Sequence, residues 1–381
     1  MILVFILITL AYLALIGSFV LGFDKLKPFC LDDLEVKTKF SIIIPFKNEA
    51  ENLEDLLISL SELKYPENLF EVILVNDDSD DDSVKIIQKV LDTKFSKKNS
   101  TRTDVKIIDT DRKTISPKKD AINKGISIAK FDWILMTDAD CIVPKYWLES
   151  FDAFIQRTDA YLIAGPVSYQ KATTFLEGFQ TLDLVSLVGA TIGGFGIGKP
   201  FMCNGANLGY KKSLFKELNG FEGNTNIASG DDIFLLEKAI KKYPKQVLYL
   251  KSELAVVKTK PQSSLKDLVS QRIRWAAKTS SYSNFFGKIT GLLVLLMNAT
   301  VICGLLLVLI GLIHYKLLLY ILVIKFSIDF LLIYKSARFF NQEELLSSYI
   351  FSCLIYPFFS VFVALTSVFS GYKWKGIYYN K

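Results

Sequence analysis

Residues 2–23, ILVFILITLAYLALIGSFVLGF, carry no charge and are long enough to cross a bilayer as one helix. Three more apolar stretches close the chain, near 289–313, 317–334 and 348–370. Segments of that kind must be kept out of water, so the polar residues between them have to fold beside a membrane. With 51% hydrophobic residues and 381 positions, the composition is too apolar for an ordinary soluble domain. A cleaved signal peptide fits the first stretch poorly, because it lacks a basic start, has an overlong apolar core and offers no good cleavage site. An uncleaved anchor over 1–24 is expected. Lys25 and Lys27 follow directly, and the positive-inside tendency puts the polar body in the cytoplasm.

About three helices are expected over 286–371, followed by a polar tail at 372–381. The first two stretches are joined by little more than HYK, which predicts a tight hairpin. Lys325 and Asp329 lie one helical turn apart in the next span, where charge is costly unless paired, and a structural ion pair is the expectation. With four spans the tail GYKWKGIYYN ends outside although it carries Lys373 and Lys375. Either one stretch lies along the interface or the charge rule fails there.

Charge and cysteine usage narrow the chemistry. The net charge is +6, spread over loops, with no basic motif whose aromatics are spaced to stack bases. That argues against nucleic acid and for anionic headgroups or phosphates as the partner of the excess. Five scattered cysteines form no CxxC pair, and the one histidine, His314, lies between apolar runs. A structural zinc site, a disulfide framework and a histidine-based triad are all disfavoured. Carboxylates must therefore carry any acid–base chemistry.

Residues 38–285 make a polar body large enough for a core of its own. KFSIIIPF, EVILVN, DVKIID and FDWILM read as strands, alternating with helical patterns. One of these patterns sets Leu53, Leu56, Leu57, Leu60 and Leu63 on a single face; another starts with Ser116 as cap and Pro117 in the first turn. Such alternation predicts an α/β fold with a mostly parallel sheet covered by helices on both faces. Ligands of such sheets bind beyond the carboxyl ends of the strands.

Acids concentrate at those ends. The second strand runs into NDDSDDDS (76–83), which fails as an EF-hand because Ser83 and Lys89 replace the required Gly and Glu. Asp80 and Asp81 suit a plain acidic turn, whereas Asp77 and Asp78, at the strand edge, can accept from a nucleobase or a ribose hydroxyl. The fourth strand runs into TDADC, whose Asp138 and Asp140 share one face of an extended segment. Two such carboxylates are half of a magnesium or manganese site, completed by phosphate oxygens and water. A third acidic position, Asp231–Asp232 in SGDDIFLLEK, opens a helix; Ser229 or Asp231 can cap it while Asp232 remains for general-base work. In QRIRW, Gln271, Arg274 and Trp275 fall on one side of a helix, offering a forked donor and a flat ring, although an interfacial helix explains the same residues. GGFGIGKP (193–200) mimics a phosphate loop but has Pro200 where Ser or Thr is needed, and reads better as a flexible acceptor-side loop.

In order, SIIIPFKNEAENL, VNDDSDDDS, KKDAINKGI, TDAD, CNGANLGYKK, SGDD and QRIRW resemble the family 2 glycosyltransferases of the GT-A fold, over residues 40–276. Membrane-attached members, such as cellulose, chitin and hyaluronan synthases and ceramide glucosyltransferase, also carry helices after the last motif. The resemblance implies an inverting transfer from a nucleoside-diphosphate sugar to a hydroxyl of a lipid-linked or polysaccharide acceptor. It implies that Pro45, Asn48, Glu49, Asp77 and Asp78 line the nucleotide pocket and that Lys119 approaches the diphosphate. Asp138 and Asp140 would hold nucleotide and a divalent cation, Mg²⁺ or Mn²⁺. Asp232 would be the base, with Asp231 where many relatives have Glu, and QRIRW would lie near diphosphate and acceptor. An integral protein of the plasma membrane, in contact with its lipids, is implied. Two rivals stand: a polyprenyl-phosphate sugar synthase, against which QRIRW speaks, and a catalytically silent envelope-assembly subunit, against which the full set of acids speaks.

Overall fold

The computed structural model describes residues 1–32, 34–95, 104–369, 371–374 and 377–379. Helix α1 (Ile2–Lys25) comes first. Then β1 (Phe40–Phe46), α2 (Ala50–Ser61), β2 (Phe70–Asn76), α3 (Ser83–Lys94), β3 (Asp104–Asp109), α4 (Pro117–Ile128) and β4 (Trp133–Met136) alternate as expected. They are followed by β5 (Cys141–Ile142), α5 (Trp147–Arg157), β6 (Leu162–Ala164), β7 (Val167–Tyr169) and the long α6 (Phe175–Gly196). Next come β8 (Leu208–Lys211), α7 (Lys212–Glu217), α8 (Asp231–Lys242), β9 (Val247–Tyr249) and β10 (Val257–Thr259). The chain closes with α9 (Leu265–Ala277), α10 (Phe285–Leu309), α11 (Tyr315–Phe339), α12 (Tyr349–Phe369) and a hairpin of β11 (Tyr372–Trp374) and β12 (Ile377–Tyr379). Lys375 of the tail lies outside the described residues.

The chain divides into two compact units. One comprises Pro28–Ser168 and Met202–Lys260; the other comprises Met1–Lys27, Tyr169–Phe201 and Pro261–Lys381. Helices α6 and α9, inside the 38–285 body in the sequence reading, group with the apolar helices of the second-named unit.

The first-named unit is built on a seven-stranded sheet of order β3-β2-β1-β4-β8-β6-β9. β1, β2, β3 and β4 run parallel, which is what continuous apolar strands joined by helices demand. β8 runs antiparallel to both β4 and β6, so the sheet is mixed. Every residue of β2 is buried, and Leu53, Leu56, Leu57 and Leu60 of α2 pack into the same core. A charge is enclosed at the amino end of this sheet. The fully buried Glu71 accepts from Ser41 Oγ at 2.6 Å, the Lys130 amide at 2.6 Å and Lys106 Nζ at 2.8 Å, so its ionised form is matched by donors. The opposite, carboxyl ends of β1, β2 and β4 are left to the loops that carry the acids.

In the other unit α1 packs on α6, α10 and α11. At the α1–α6 crossing a Cβ on Gly22 would collide with the Gly193 carbonyl, and one on Gly196 with that of Gly22. Glycine is required there because the backbones touch. The stretch expected as a flexible loop at 193–200 is thus, up to Gly196, the last turn of α6. Lys325 Nζ does pair with Asp329 Oδ2 at 2.6 Å, and Tyr12 of α1 donates to Asp329 Oδ1 at 2.6 Å, which completes the cluster. Among the described residues, five helices are long and apolar enough to cross a membrane: Ile2–Lys25, Phe175–Gly196, Phe285–Leu309, Tyr315–Phe339 and Glu343–Phe369. The sequence reading contained four of them. It passed over α6, whose mean hydropathy is only 1.2 because Glu177, Gln180 and Asp183 interrupt it.

Candidate active site

The loop after β1 and the loop after β2 lock together. Asn48 and Asp78 both adopt left-handed backbone, with φ of 52° and 58°, which Asn and Asp tolerate better than most residues. Asn48 N–H donates to Ser79 Oγ and Asn48 Oδ1 accepts from the Asp80 amide, at 3.1 and 3.0 Å. Lys47 Nζ binds the carbonyls of Asp77 and Asp78. Asp81 accepts from Ser83 N–H and Ala50 N–H; despite some burial these bonds hold its carboxyl below the usual range. Asp82 pairs with Lys85 at 2.7 Å. The acidic run therefore splits: Asp81 and Asp82 serve the starts of α2 and α3, while Asp77 and Asp78 face another way.

Arg112, in the loop after β3, donates from Nε to Asp77 Oδ1 at 3.0 Å and reaches within 3.7 Å of Asp78 Oδ2. Burial raises the Asp77 carboxyl above its ordinary range, and Arg112 only partly offsets it. Asp78 keeps an exposed carboxylate.

The second group of acids is gathered by one lysine. Lys118 Nζ lies 2.7 Å from Asp138 Oδ1 and 3.5 Å from Asp231 Oδ2. Burial pulls the Lys118 ammonium down, but Asp138 and Asp231 outweigh it, so the group stays charged through the neutral range. Asp140, two residues along, has a carboxyl raised to about 6 by burial and then by the charges of Asp138 and Glu49. Two carboxylates that repel each other in a half-enclosed place fit a divalent ion, whose charge removes the repulsion. Among the described residues no group of three or more His, Cys, Asp or Glu is placed to hold a metal.

Asp231 and Asp232 head α8, where the helix dipole favours negative charge. The N-cap is Gly230, at φ 85°, and makes no side-chain capping bond; neither Ser229 nor Asp231 caps, contrary to the expectation. Asp231 is buried against Lys118, whereas Asp232 is partly open and accepts from the Gly205 amide at 3.1 Å. A Cβ on Gly205 would lie 3.2 Å from Asp231 Oδ2 and 3.6 Å from Asp232 Cβ, so an alanine here would press the Asp231 carboxylate aside by a few tenths of an ångström. The neighbouring Asn207 is fully buried: it accepts from Trp147 Nε1 and donates to the carbonyls of Pro166 and Ala255, which fixes this segment.

One expectation is redirected. Lys119, assigned to the diphosphate, is fully buried with its ammonium on the carbonyls of Asn224 and Ile227. Successive helical residues point about 100° apart, so the lysine that faces the acids is Lys118. The sequence reading missed Lys118, Arg112 and Gly205. The signal for the first was present: positive charge in the first turn of a helix opposes the dipole and needs a partner.

QRIRW lies on α9, in the unit of apolar helices. Gln271, Arg274 and Trp275 are partly buried, and the buried members are Arg272 and Ile273. Arg272 Nε binds Asp183 Oδ2 of α6 at 2.7 Å, its Nη1 donates to Gln271 Oε1, and its guanidinium lies 4.3 Å from the centre of the Trp275 ring. Arg272 thus organises two of the three residues the motif was read for. Pro45, in β1, is half-buried, and Glu49 Oε2 accepts from Asn52.

Comparison with known proteins turns this geometry into a family. The pattern of "Glycosyl transferase family 2" matches residues 41–218, and that of "Glycosyl transferase family group 2" matches 133–368, more than half of the chain. The chain belongs to the family 2 glycosyltransferases. It is 26% identical over 276 residues to a poly-beta-1,6-N-acetyl-D-glucosamine synthase of Staphylococcus epidermidis, covering 69% of this chain and 61% of that one. A Staphylococcus aureus protein of the same name is 30% identical over 165 residues, 42% of this chain and 35% of that one. The chain spans about three fifths or less of the length of these curated relatives. Among solved structures, the mannosyltransferase PcManGT of Pyrobaculum calidifontis, in complex with GDP-Man and Mn²⁺, matches with a TM-score of 0.52 at 16% identity, over 95% of this glycosyltransferase and 98% of that chain. That likeness is one of fold, and it agrees with the GT-A arrangement of the mixed sheet.

Proposed function

We propose that this family 2 glycosyltransferase is a membrane enzyme that moves a sugar from a nucleoside-diphosphate sugar to a hydroxyl of a lipid-linked or polysaccharide acceptor, with inversion. What supports it is the meeting of acids from separate segments at one ammonium: Lys118 contacts Asp138, after β4, and Asp231, at the head of α8 beside the open Asp232. In this reading the nucleoside lies against Pro45, Asn48, Glu49, Asp77 and Asp78. Lys118, rather than Lys119, answers the diphosphate. Asp138 and Asp140 would hold a divalent cation, which supplies charge for the departing diphosphate. Asp232 takes the proton of the acceptor hydroxyl as its oxygen attacks the anomeric carbon, and the nucleoside diphosphate leaves from the opposite face with the bonding pair. The Gly205 N–H holds the Asp232 carboxylate in place. Lys25 and Lys27 favour a cytoplasmic face for the segment that follows α1.

The names of the curated relatives make N-acetylglucosamine the first sugar to try. The test is a screen of UDP-, GDP- and TDP-sugars with full-length protein in detergent, with Mg²⁺ or Mn²⁺ and native membrane lipids. Nucleotide release and product mass are the readouts. Cation-dependent release with one donor and a sugar-extended product is expected; no release with any donor defeats the proposal.

A further inference from the structure

We propose that Lys119 is a positioning residue, whose buried ammonium fixes the loop 218–230 and thereby aims Asp231 and Asp232. The proposal rests on the transfer reading above. Lys119 is fully buried, which an ammonium tolerates only when donors find acceptors. Its Nζ donates to the carbonyls of Asn224 and Ile227 at 2.6 and 2.8 Å and faces the rings of Phe221 and Phe234 at 5.9 and 5.0 Å. Phe221 is in the loop and Phe234 is on α8, one turn beyond Asp231, so one cation ties both.

Two further groups grip the same loop. Ser116, the N-cap of α4, spends its hydroxyl on the Ala228 carbonyl at 3.1 Å instead of capping its helix. Lys238 of α8 donates to the carbonyls of Leu218, Gly220 and Glu222, at 3.2, 2.7 and 2.8 Å. Carbonyls along the loop are thus drawn onto α4 and α8, and the loop ends at Gly230, where α8 begins with the two acids. The adjacent Lys118 contacts Asp138 and Asp231. One turn of α4 therefore sets both the charge partner of the acids and the path by which the chain reaches them. Loss of the Lys119 contacts frees the loop and lets α8 start from a different place, while Asp77 and Asp78, after β2, are untouched. A displacement of about 1 Å in such a site is enough for a hundredfold loss of rate.

The test uses full-length protein in detergent with Lys119→Met and, as a milder change that keeps a donor, Lys119→Gln. For Lys119→Met, kcat with the active donor should fall about 30-fold or more while KM for that donor stays within about threefold. Hydrogen exchange needs no turnover: amides of 218–232 should exchange about tenfold faster, with β1 and β2 unchanged. Lys119→Gln should show the same pattern at smaller amplitude, which keeps the test open if Lys119→Met does not fold. Unchanged exchange in 218–232, equal acceleration across β1 and β2, or an unchanged kcat would overturn the proposal. If the wild type turned over no donor, the transfer reading would fail by itself, and exchange would still decide the positioning.

Discussion

Lys118 and Lys119 are neighbours in one helical turn, yet one answers carboxylates and the other answers carbonyls. That split explains why two lysines stand at the dipole's positive end. Arg112 shows a second residue-scale balance. Burial pushes the Asp77 carboxyl up and Arg112 pulls it down, with burial the larger. A carboxyl raised in this way takes up its proton at a higher pH than an ordinary aspartate, so donor affinity that needs Asp77 ionised weakens as pH falls through that raised range. Arg112→Ala removes the opposing charge, and the acid-side loss of donor affinity should move to higher pH, by about one unit for each 1.4 kcal/mol of lost interaction. Titrating donor binding against pH in both proteins checks this; an unmoved acid limb would contradict it.

At the scale of elements, the pairing of α6 with α9 hangs on a buried ion pair. Removing one partner strands a charge, so Asp183→Leu or Arg272→Met alone should cost about 3–5 kcal/mol, while the double replacement should recover most of it. Thermal unfolding of the four proteins in detergent measures that cycle; additive losses would contradict it. The first half of the sheet was legible in the sequence because β1 to β4 are apolar runs bounded by acids and turn residues, the first three followed by a leucine or isoleucine face of helical period. β6 and β9, three residues each, and β8, four, are too short for a period to show, so the antiparallel part was not read. α6 escaped because Glu177, Gln180 and Asp183 break its apolar run; all three are now placed, Glu177 in a capping box with Thr174, Asp183 on Arg272 and Gln180 on Gln262. The acids were legible as strand-end clusters. Their partners were not, since Lys118 against Lys119 is a matter of helical rotation and Arg112 comes from a separate loop.

At the scale of the molecule, five helices among the described residues suit a bilayer, and the charge at the end of α1 makes a prediction about sides. Cys30 is exposed a few residues beyond Lys25 and Lys27. In a variant that keeps Cys30 as its single cysteine, a membrane-impermeant maleimide should label inverted vesicles and spare intact cells; the reverse pattern would reverse the orientation. Family membership and the gathering of Asp138, Asp231 and Lys118 leave one matter to decide, whether these acids work together on a sugar donor. Steady-state nucleotide release by full-length Asp140→Ala and Asp232→Asn, beside wild type with Mn²⁺, addresses it most directly. Asp232→Asn should lose about 10²- to 10⁴-fold in kcat while still binding donor, and Asp140→Ala should lose its response to the cation together with turnover. Full turnover retained by both variants would contradict the shared site.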